Sequence, residues 1–220
     1  MVALSVRGEA SRLLPPDAAE LSARVALTRG SAPEALRAVA GAADALVRDL
    51  SAAGGQALTA GTARAALTWS RWSASTQPHW DDEGRRTPRT TAAVELRVVV
   101  RALDRLEAVG ALLARHEALE LHGVQWHVDD DNPAWPGVRA EAVAAAVQKA
   151  RDYAAALGGE LLEVEHVADV GLLGGREARA VGVQFMSAEA AGPAAPSLDP
   201  VPQELAAAVE ARFSASARPL

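Results

Sequence analysis

Two short segments of the chain carry the same arrangement of metal-ligating side chains. His79-Trp80-Asp81-Asp82 and His127-Val128-Asp129-Asp130 both place a histidine two residues before a pair of aspartates. Imidazoles and carboxylates are ligands of divalent metals, but a metal site needs three or four ligands that converge. The two segments would therefore have to approach each other in the fold, and the sequence alone does not establish that they do.

Each segment also has a structural interpretation, which we favour over a metal site. The first is polar and contains a turn-prone glycine, as expected for the solvated tip of a hairpin. In the second, Asp131 or Asn132 would cap the helix that follows, because acidic and amide side chains accept hydrogen bonds from a helix N-terminus. We therefore assign no metal ligand and no cofactor.

The remaining reactive residues form no catalytic pattern. The chain has no cysteine, which excludes disulfides, thiolate nucleophiles and cysteine-ligated metals. His116, His122 and His166 are isolated, no serine lies in a G-x-S-x-G setting, and the glycine-rich stretch 171–175 lacks the lysine of a phosphate loop. We assign no catalytic residue and expect that the protein is not an enzyme.

Charge and hydropathy narrow the possible partners and the compartment. The net charge of −6 and the pI near 5.4 argue against nucleic acid and anionic membranes as partners. Arg85, Arg86 and Arg89 form a short basic run, which we interpret as part of a soluble tip. The opening residues lack the apolar core of a secretory signal, and no apolar window is long enough to span a bilayer. We expect a cytoplasmic protein without a membrane partner.

The five tryptophans are unusual in a chain whose aromatic content is only 4%. They are Trp69, Trp72, Trp80, Trp126 and Trp135. Strand alternation places Trp69 and Trp72 on opposite sides of one strand, so both cannot enter the same core. One of them is expected to be exposed at an interface, where tryptophan is enriched, or to be covered by another layer of the fold.

The elements that must position these side chains follow from periodicity. Alternating apolar residues predict two half-buried strands, over 3–9 and 19–27, on either side of Pro15-Pro16-Asp17. Helical spacing behind capping patterns predicts three helices. The further predicted elements are helix 33–53, a long hairpin of strands 65–76 and 90–101 with a charged tip from His79 to Arg89, a helix from Asp104, strand 119–128, a helix that ends at Leu157, strands 161–170 and 179–187, and a last element at 203–214.

Three of these segments need separate comment. Asp104 is predicted to cap the second helix, so its replacement by Ala would cost about 0.5–2 kcal/mol. The Ala/Pro-rich stretch 190–202 is predicted to be a loop. Residues 203–214 fit either a helix, which alanine favours, or a strand. Helices interleaved with antiparallel hairpins predict an α+β fold.

This order of elements, with a set of short segments, resembles the SIMPL domain family over most of the chain. That family includes bacterial periplasmic antigens and a mammalian protein that interacts with a pelle-like kinase. The segments that carry the resemblance are 6–10 (VRGEA), 16–21 (PDAAEL), 35–39 (ALRAV), 90–98 (TTAAVELRV), 103–106 (LDRL), 121–126 (LHGVQW), 140–158 and the tail 201–214.

The resemblance implies a single SIMPL-like domain over residues 1–216, in which 203–214 is the final strand. It implies no catalytic residues, and it makes self-association plausible because some bacterial members form ring-like homo-oligomers. We expect a bacterial, non-enzymatic homo-oligomer that acts as an interaction or stress-related module, in which the 65–101 hairpin contributes to self-association. The alternatives are an oligomeric protein that binds a small ligand and, third, a metal-dependent hydrolase.

Overall fold

The computed structural model describes residues 1–172 and 198–218. Three α-helices and eight strands lie within these ranges, which confirms the predicted α+β class. In chain order they are β1 (Val2–Leu14), β2 (Ala18–Arg29), α1 (Ala32–Ala52), β3 (Gln56–Ala57), β4 (Leu67–Trp80), β5 (Arg86–Val100), α2 (Leu106–Ala114), β6 (Leu119–His127), α3 (Trp135–Ala156), β7 (Leu161–Asp169) and β8 (Gln203–Ala215). The predicted strand 179–187 and residues 190–197 of the predicted loop lie outside the described residues.

The described residues divide into two compact units, each with its own sheet. The small-sheet unit comprises residues 1–15, 128–172 and 202–218, and the large-sheet unit comprises 16–127 and 198–201. None of the helices in these ranges combines the length and the apolar character needed to cross a bilayer.

The small-sheet unit is an antiparallel sheet in the order β1-β8-β7, with α3 packed on one face. β1 and β8 pair over thirteen residue pairs without a register shift, from Val2 opposite Ala215 to Leu14 opposite Gln203. β8 therefore has a strand on both sides, which explains why residues 203–214 form a strand despite their alanines. The buried residues of this core are Val6, Ala142, Ala146, Ala150, Val209, Ala211 and Phe213.

Gly8 is the point at which α3 comes closest to β1. A Cβ atom built at this position would lie 2.1 Å from the carbonyl oxygen of Ala142 and 2.5 Å from the main-chain nitrogen of Ala146. Only glycine can be accommodated at such short distances. The alanines on the facing side of α3 allow the helix to pack close to the sheet. The small residues on both elements thus set the distance between α3 and β1.

The ends of α3 differ in how closely they follow the prediction. The helix ends before Gly158, whose φ of +66° suits glycine, and the N–H of Gly159 donates to the carbonyl of Ala154. At the start, Ala134 rather than Asp131 or Asn132 takes the cap position. Asn132 Oδ1 instead accepts a hydrogen bond from the N–H of Ala134 at 2.9 Å, because this side chain closes a turn ahead of the helix.

The large-sheet unit is a five-stranded sheet in the order β3-β4-β5-β2-β6, with α1 packed on one face. All neighbours are antiparallel except β3 and β4, which pair in parallel over two positions. Its core is aliphatic, as the low aromatic content predicts. The buried side chains include Leu21 and Val25 of β2, Leu46 and Leu50 of α1, Leu96 and Val98 of β5, and Val109 and Leu113 of α2.

The predicted cap of α2 is wrong, and the first two predicted strands are not neighbours in the fold. Asp104 does not cap α2, because it lies inside a short 3₁₀ turn, Leu103–Arg105, whose main-chain N–H groups bond to preceding carbonyls. β1 and β2 both exist, but they do not form a pair about the prolines. β1 joins β8, whereas β2 lies between β5 and β6. Alternation identifies a strand and its buried face, but it carries no information about which strand is the neighbour.

Candidate functional site

In the part of the chain that the structure describes, most of one side of β4 has no neighbouring strand. β3 covers β4 only at Thr68 and Trp69, and β5 lies on the opposite side. Among the described residues, β4 from Ser70 to Trp80 therefore has a strand on one side only. We call this stretch the β4 edge. Its main-chain N–H and C=O groups are a template on which another strand can pair.

The two tryptophans at the base of β4 have different environments, as the alternation predicted. Trp69 packs against the core of the large-sheet unit, and the guanidinium of Arg71 lies 5.9 Å from its ring centroid. Trp72 lies on the opposite side and is 66% exposed. It also lies at a bulge, where β4 has one more residue than β5 between Arg71 and Ser73. Trp80, at the far end of the same edge, is 58% exposed.

The tip of the hairpin is shorter than predicted, because β4 continues to Trp80 and β5 begins at Arg86. The Thr87 hydroxyl lies 3.0 Å from His79 Nδ1 and donates to the His79 carbonyl, which holds the strands together beyond the predicted boundary. In the remaining turn, Asp81 Oδ1 accepts hydrogen bonds from the N–H groups of Arg85, at 2.8 Å, and Glu83. The Arg85 hydrogen bond is the main reason that the pKa of Asp81 lies below its ordinary value.

The two His-x-Asp-Asp segments do not form a shared metal site. His79 lies near the tip, whereas His127 pairs with Ala18 at the other end of the same sheet. The strand register puts them roughly 40 Å apart at about 3.4 Å per residue. Asp129 and Asp130 belong to the small-sheet unit. Within residues 1–172 and 198–218, no group of three or more His, Asp or Glu side chains is placed to hold a metal ion.

The other candidate residues mostly have structural contacts. His116 Nε2 lies 3.1 Å from a carboxylate oxygen of Asp49, whereas His122 and His166 are exposed on strands. Arg85 forms ion pairs with Asp81 and Glu83. Arg89 donates a hydrogen bond to the carbonyl of Thr28, and Arg86 is exposed.

The two remaining tryptophans have structural contacts. Trp126 packs against the core of the large-sheet unit, and the Trp135 indole N–H donates to the carbonyl of Asp129.

An ion-pair network links strands β2, β5 and β6 and cannot be recognised in any single segment of the sequence. Glu20 is central to it, with Arg97 at 2.7 Å and His127 at 3.5 Å, and its side chain is only 14% exposed. Arg24 lies between Glu95 and Glu120, at 3.5 and 3.9 Å. Oppositely charged residues at alternate positions of β2 and β5 were the available signal, but only the register brings them together. These ion pairs link neighbouring strands of the large-sheet unit.

A groove crosses the face of the small-sheet unit that carries Arg7, Glu9 and Ser11 of β1. It has a volume of about 580 Å³. Alanines form much of its lining, with Glu204 and Asp169 among its polar residues. Cavities of 300–1,000 Å³ are typical of small-molecule sites. This groove is the second feature of the chain that could receive a partner.

Comparison with known proteins places the chain in a family. Residues 4–213 match the SIMPL family, whose description is protein of unknown function (DUF541). None of the curated proteins matches the chain. The match covers nearly the whole sequence and includes residues of both compact units. The chain therefore belongs to the SIMPL family.

Proposed function

We propose that this SIMPL protein is a non-enzymatic interaction module that associates with itself through the hairpin of β4 and β5. The observation that carries the proposal is Trp72, a large apolar side chain that is mostly exposed on a stretch of β4 that, among the described residues, has a neighbouring strand on one side only. Trp80 repeats this arrangement at the other end of the β4 edge. Exposed tryptophans are enriched at the centres of protein interfaces.

The proposed lack of enzymatic activity is supported by how the charged side chains are used. Those that the fold brings together mainly neutralise each other. Examples are Glu20 with Arg97, Asp81 with Arg85, and Glu165 with Arg212 at 2.9 Å. A stress-related role would then depend on which protein the module engages rather than on a reaction that it catalyses.

Light scattering coupled to size exclusion tests the proposal. We expect the wild-type chain to elute as an oligomer, and Trp72→Ser to give a folded species of lower mass. Loss of a central interface tryptophan raises the dissociation constant by at least about tenfold. Trp69→Ser is the matched comparison, since Trp69 packs against the core and its loss should lower the unfolding free energy by about 3 kcal/mol or more.

Two results would count against self-association through the hairpin. A wild-type mass equal to that of one chain at all concentrations would exclude it. An oligomer whose mass is unchanged in a folded Trp72→Ser variant would show that another surface is responsible.

The groove of the small-sheet unit favours a second candidate function, the binding of a small ligand by the oligomer. Ala208 lines the groove, whereas Ala3, on the same strand pair, does not. We expect native mass spectrometry to detect a mass excess in wild type that is lost in Ala208→Phe and retained in Ala3→Phe. A wild-type mass without excess would contradict ligand binding.

A cytoplasmic location is part of the proposal. It carries forward the expectation from the sequence. Residues 2–14 form β1 and pair along their whole length with β8, so they are part of the folded sheet. Recovery of the native protein from an exported or membrane fraction of its host would contradict this location.

A further inference from the structure

We infer that the groove of the small-sheet unit binds a linear polyamine, a flexible chain with an ammonium group at each end. The inference rests on the ligand-binding function proposed above for the same groove, and it names the chemical class of the ligand. It is carried by the charges that line the groove and by their spacing along the sheet.

The groove lies where the small sheet narrows from three strands to two. Among the described residues, β7 pairs with β8 only as far as Asp169 opposite Val209, whereas β1 continues along β8 to Leu14 opposite Gln203. The lining beyond the end of β7 consists mainly of small side chains, namely Ser11, Ala206, Ala207 and Ala208. These side chains leave open space between the residues at the two ends of the groove.

The lining carries more negative than positive charge. Its charged residues are Arg7, Glu9, Asp169 and Glu204. Arg7 and Glu9 neutralise each other, since Arg7 Nε lies 2.7 Å from Glu9 Oε1. Within residues 1–172 and 198–218, the carboxylates of Asp169 and Glu204 form no ion pair or hydrogen bond. Two negative charges therefore remain uncompensated in the groove, and a positively charged ligand is complementary to it.

The two uncompensated carboxylates belong to opposite ends of the groove. Asp169 pairs with Val209, and Glu204 precedes Val209 by five residues on β8. Five strand residues separate the two main-chain positions by roughly 17 Å. A single ammonium group cannot contact both carboxylates across this distance, whereas a flexible chain with an ammonium group at each end can. Its methylene groups would then lie over the alanines of the groove.

The dimensions of the groove favour an organic cation over a metal ion. Its volume of about 580 Å³ far exceeds that of one ion, and Asp169 and Glu204 are too far apart to be ligands of the same metal. Both residues are exposed. Their attraction for a cation is therefore screened by salt, with a Debye length of about 10 Å at 0.1 M ionic strength.

Isothermal titration of the full chain with spermidine at low ionic strength tests the ligand class. Butylamine, which has one ammonium group, and adipate, which has two carboxylates, are the comparison ligands. We expect spermidine to bind at least about fivefold more tightly than butylamine, since butylamine can engage only one of the two carboxylates. We expect no binding of adipate, and a loss of spermidine affinity as salt is added.

Three substitutions at exposed positions locate the binding. Glu204→Gln and Asp169→Asn keep the shape of the side chain and remove its charge, so each should weaken spermidine binding by about fivefold, as expected for an exposed ion pair. Glu160→Gln is the matched control. It removes the same charge from the same unit, but Glu160 is exposed at the opposite end of the sheet and does not line the groove. Its affinity should remain within about twofold of the wild type.

Several results would overturn the inference. They are an equal loss in Glu160→Gln and the groove variants, an unchanged affinity in the groove variants, or an effect of only one of them, which would show that the ligand does not span both carboxylates. A mass excess that Ala208→Phe abolishes, without any binding of spermidine, would overturn the polyamine class and leave the ligand-binding groove standing. A wild-type chain with neither a mass excess nor spermidine binding would overturn both.

Discussion

At the scale of single residues, Gly8 shows how a missing side chain determines a packing distance. The main chain of α3 occupies the space into which a Cβ atom at this position would extend. Both atoms nearest to that Cβ belong to the helix backbone, so neither can move aside by a change of rotamer. Relief would require a shift of the whole helix away from β1.

We therefore expect Gly8→Ala to lower the free energy of unfolding by about 1–3 kcal/mol, the usual cost of overpacking a core. The matched control is Gly41→Ala, since Gly41 is an exposed position of α1 with no atom near the added Cβ. Alanine there should raise stability by up to about 1 kcal/mol. Chemical denaturation measures both. Equal effects of the two substitutions would show that α3 does not constrain Gly8.

Asp81 gives the hairpin tip a dependence on pH. Its carboxylate accepts main-chain hydrogen bonds from Arg85 and Glu83, which stabilise the charged form and lower the pKa of Asp81. A group whose pKa is lowered by folding stabilises the fold above its unfolded pKa, and this contribution is lost as the pH falls through the folded pKa. The turn should therefore be ordered at neutral pH and loosen in acid, below the ordinary aspartate range.

Amide hydrogen exchange of Arg85 measures this transition. We expect protection at neutral pH that disappears on acidification in the wild type. In Asp81→Asn the side-chain amide does not titrate, so protection should be weaker and nearly independent of pH in this range. The same acid transition in Asp81→Asn would show that another group controls the turn.

At the scale of elements, the end of α1 is stabilised by a residue far away in sequence. The guanidinium of Arg105 donates a hydrogen bond to the carbonyl of Ala53, the residue that caps the C-terminus of α1. The last turn of α1 has no basic residue of its own. Arg105 therefore supplies the positive charge that favours a helix C-terminus, and links α1 to the start of α2.

Replacing Arg105 with Ala should lower the free energy of unfolding by about 1–2 kcal/mol, since a partly buried carbonyl loses a charged donor. Its neighbour Asp104 is exposed and does not cap α2, so Asp104→Ala should change stability by less than about 0.5 kcal/mol. Urea denaturation separates these outcomes. A larger effect at Asp104 than at Arg105 would contradict the assignment.

The existence of the helices and strands could be predicted from periodicity, whereas some of their faces could not. In α3 the apolar stripe of the sequence includes Val143, Tyr153 and Leu157, yet these three are exposed. Other members of the same stripe, Val138 and the alanines at 142, 146, 150 and 154, are buried as the spacing predicts. Close approach to Gly8 favours the smallest side chains at the contact, and this requirement arises from β1, which is distant in sequence. The bulge at Trp72 is equally invisible in the alternation of β4.

At the scale of the whole molecule, local sequence could not predict which strands pair with each other. The 65–101 hairpin was predicted because its strands are adjacent in the chain. The pairing of β1 with β8, by contrast, joins segments at opposite ends of the sequence. The candidate site likewise has one feature that the sequence predicts and one that depends on strand pairing. The sequence identifies the tryptophans of β4, but the free edge on which they lie follows from the short pairing of β3.

Self-association should make thermal stability depend on protein concentration, because only the folded chain presents the β4 edge. Dilution shifts the equilibrium toward single chains and should lower the Tm of the wild type. The Tm of Trp72→Ser should vary much less over the same range. Differential scanning fluorimetry over a hundredfold dilution would measure this. A wild-type Tm that is constant across that range would argue against an equilibrium oligomer.

The pairing of β1 with β8 also governs the order in which the protein can fold during synthesis. β1 leaves the ribosome well before β8, which follows about 190–210 residues later and thus after roughly 10–40 s of translation. Most of the large-sheet unit, from Pro16 to His127, is complete well before then. Throughout that interval β1 has no β8 to pair with and is open to other strands. A nascent chain is therefore most exposed to chaperones and to misassembly while residues 128–202 are being synthesised, and the small sheet can close only after β8 has emerged.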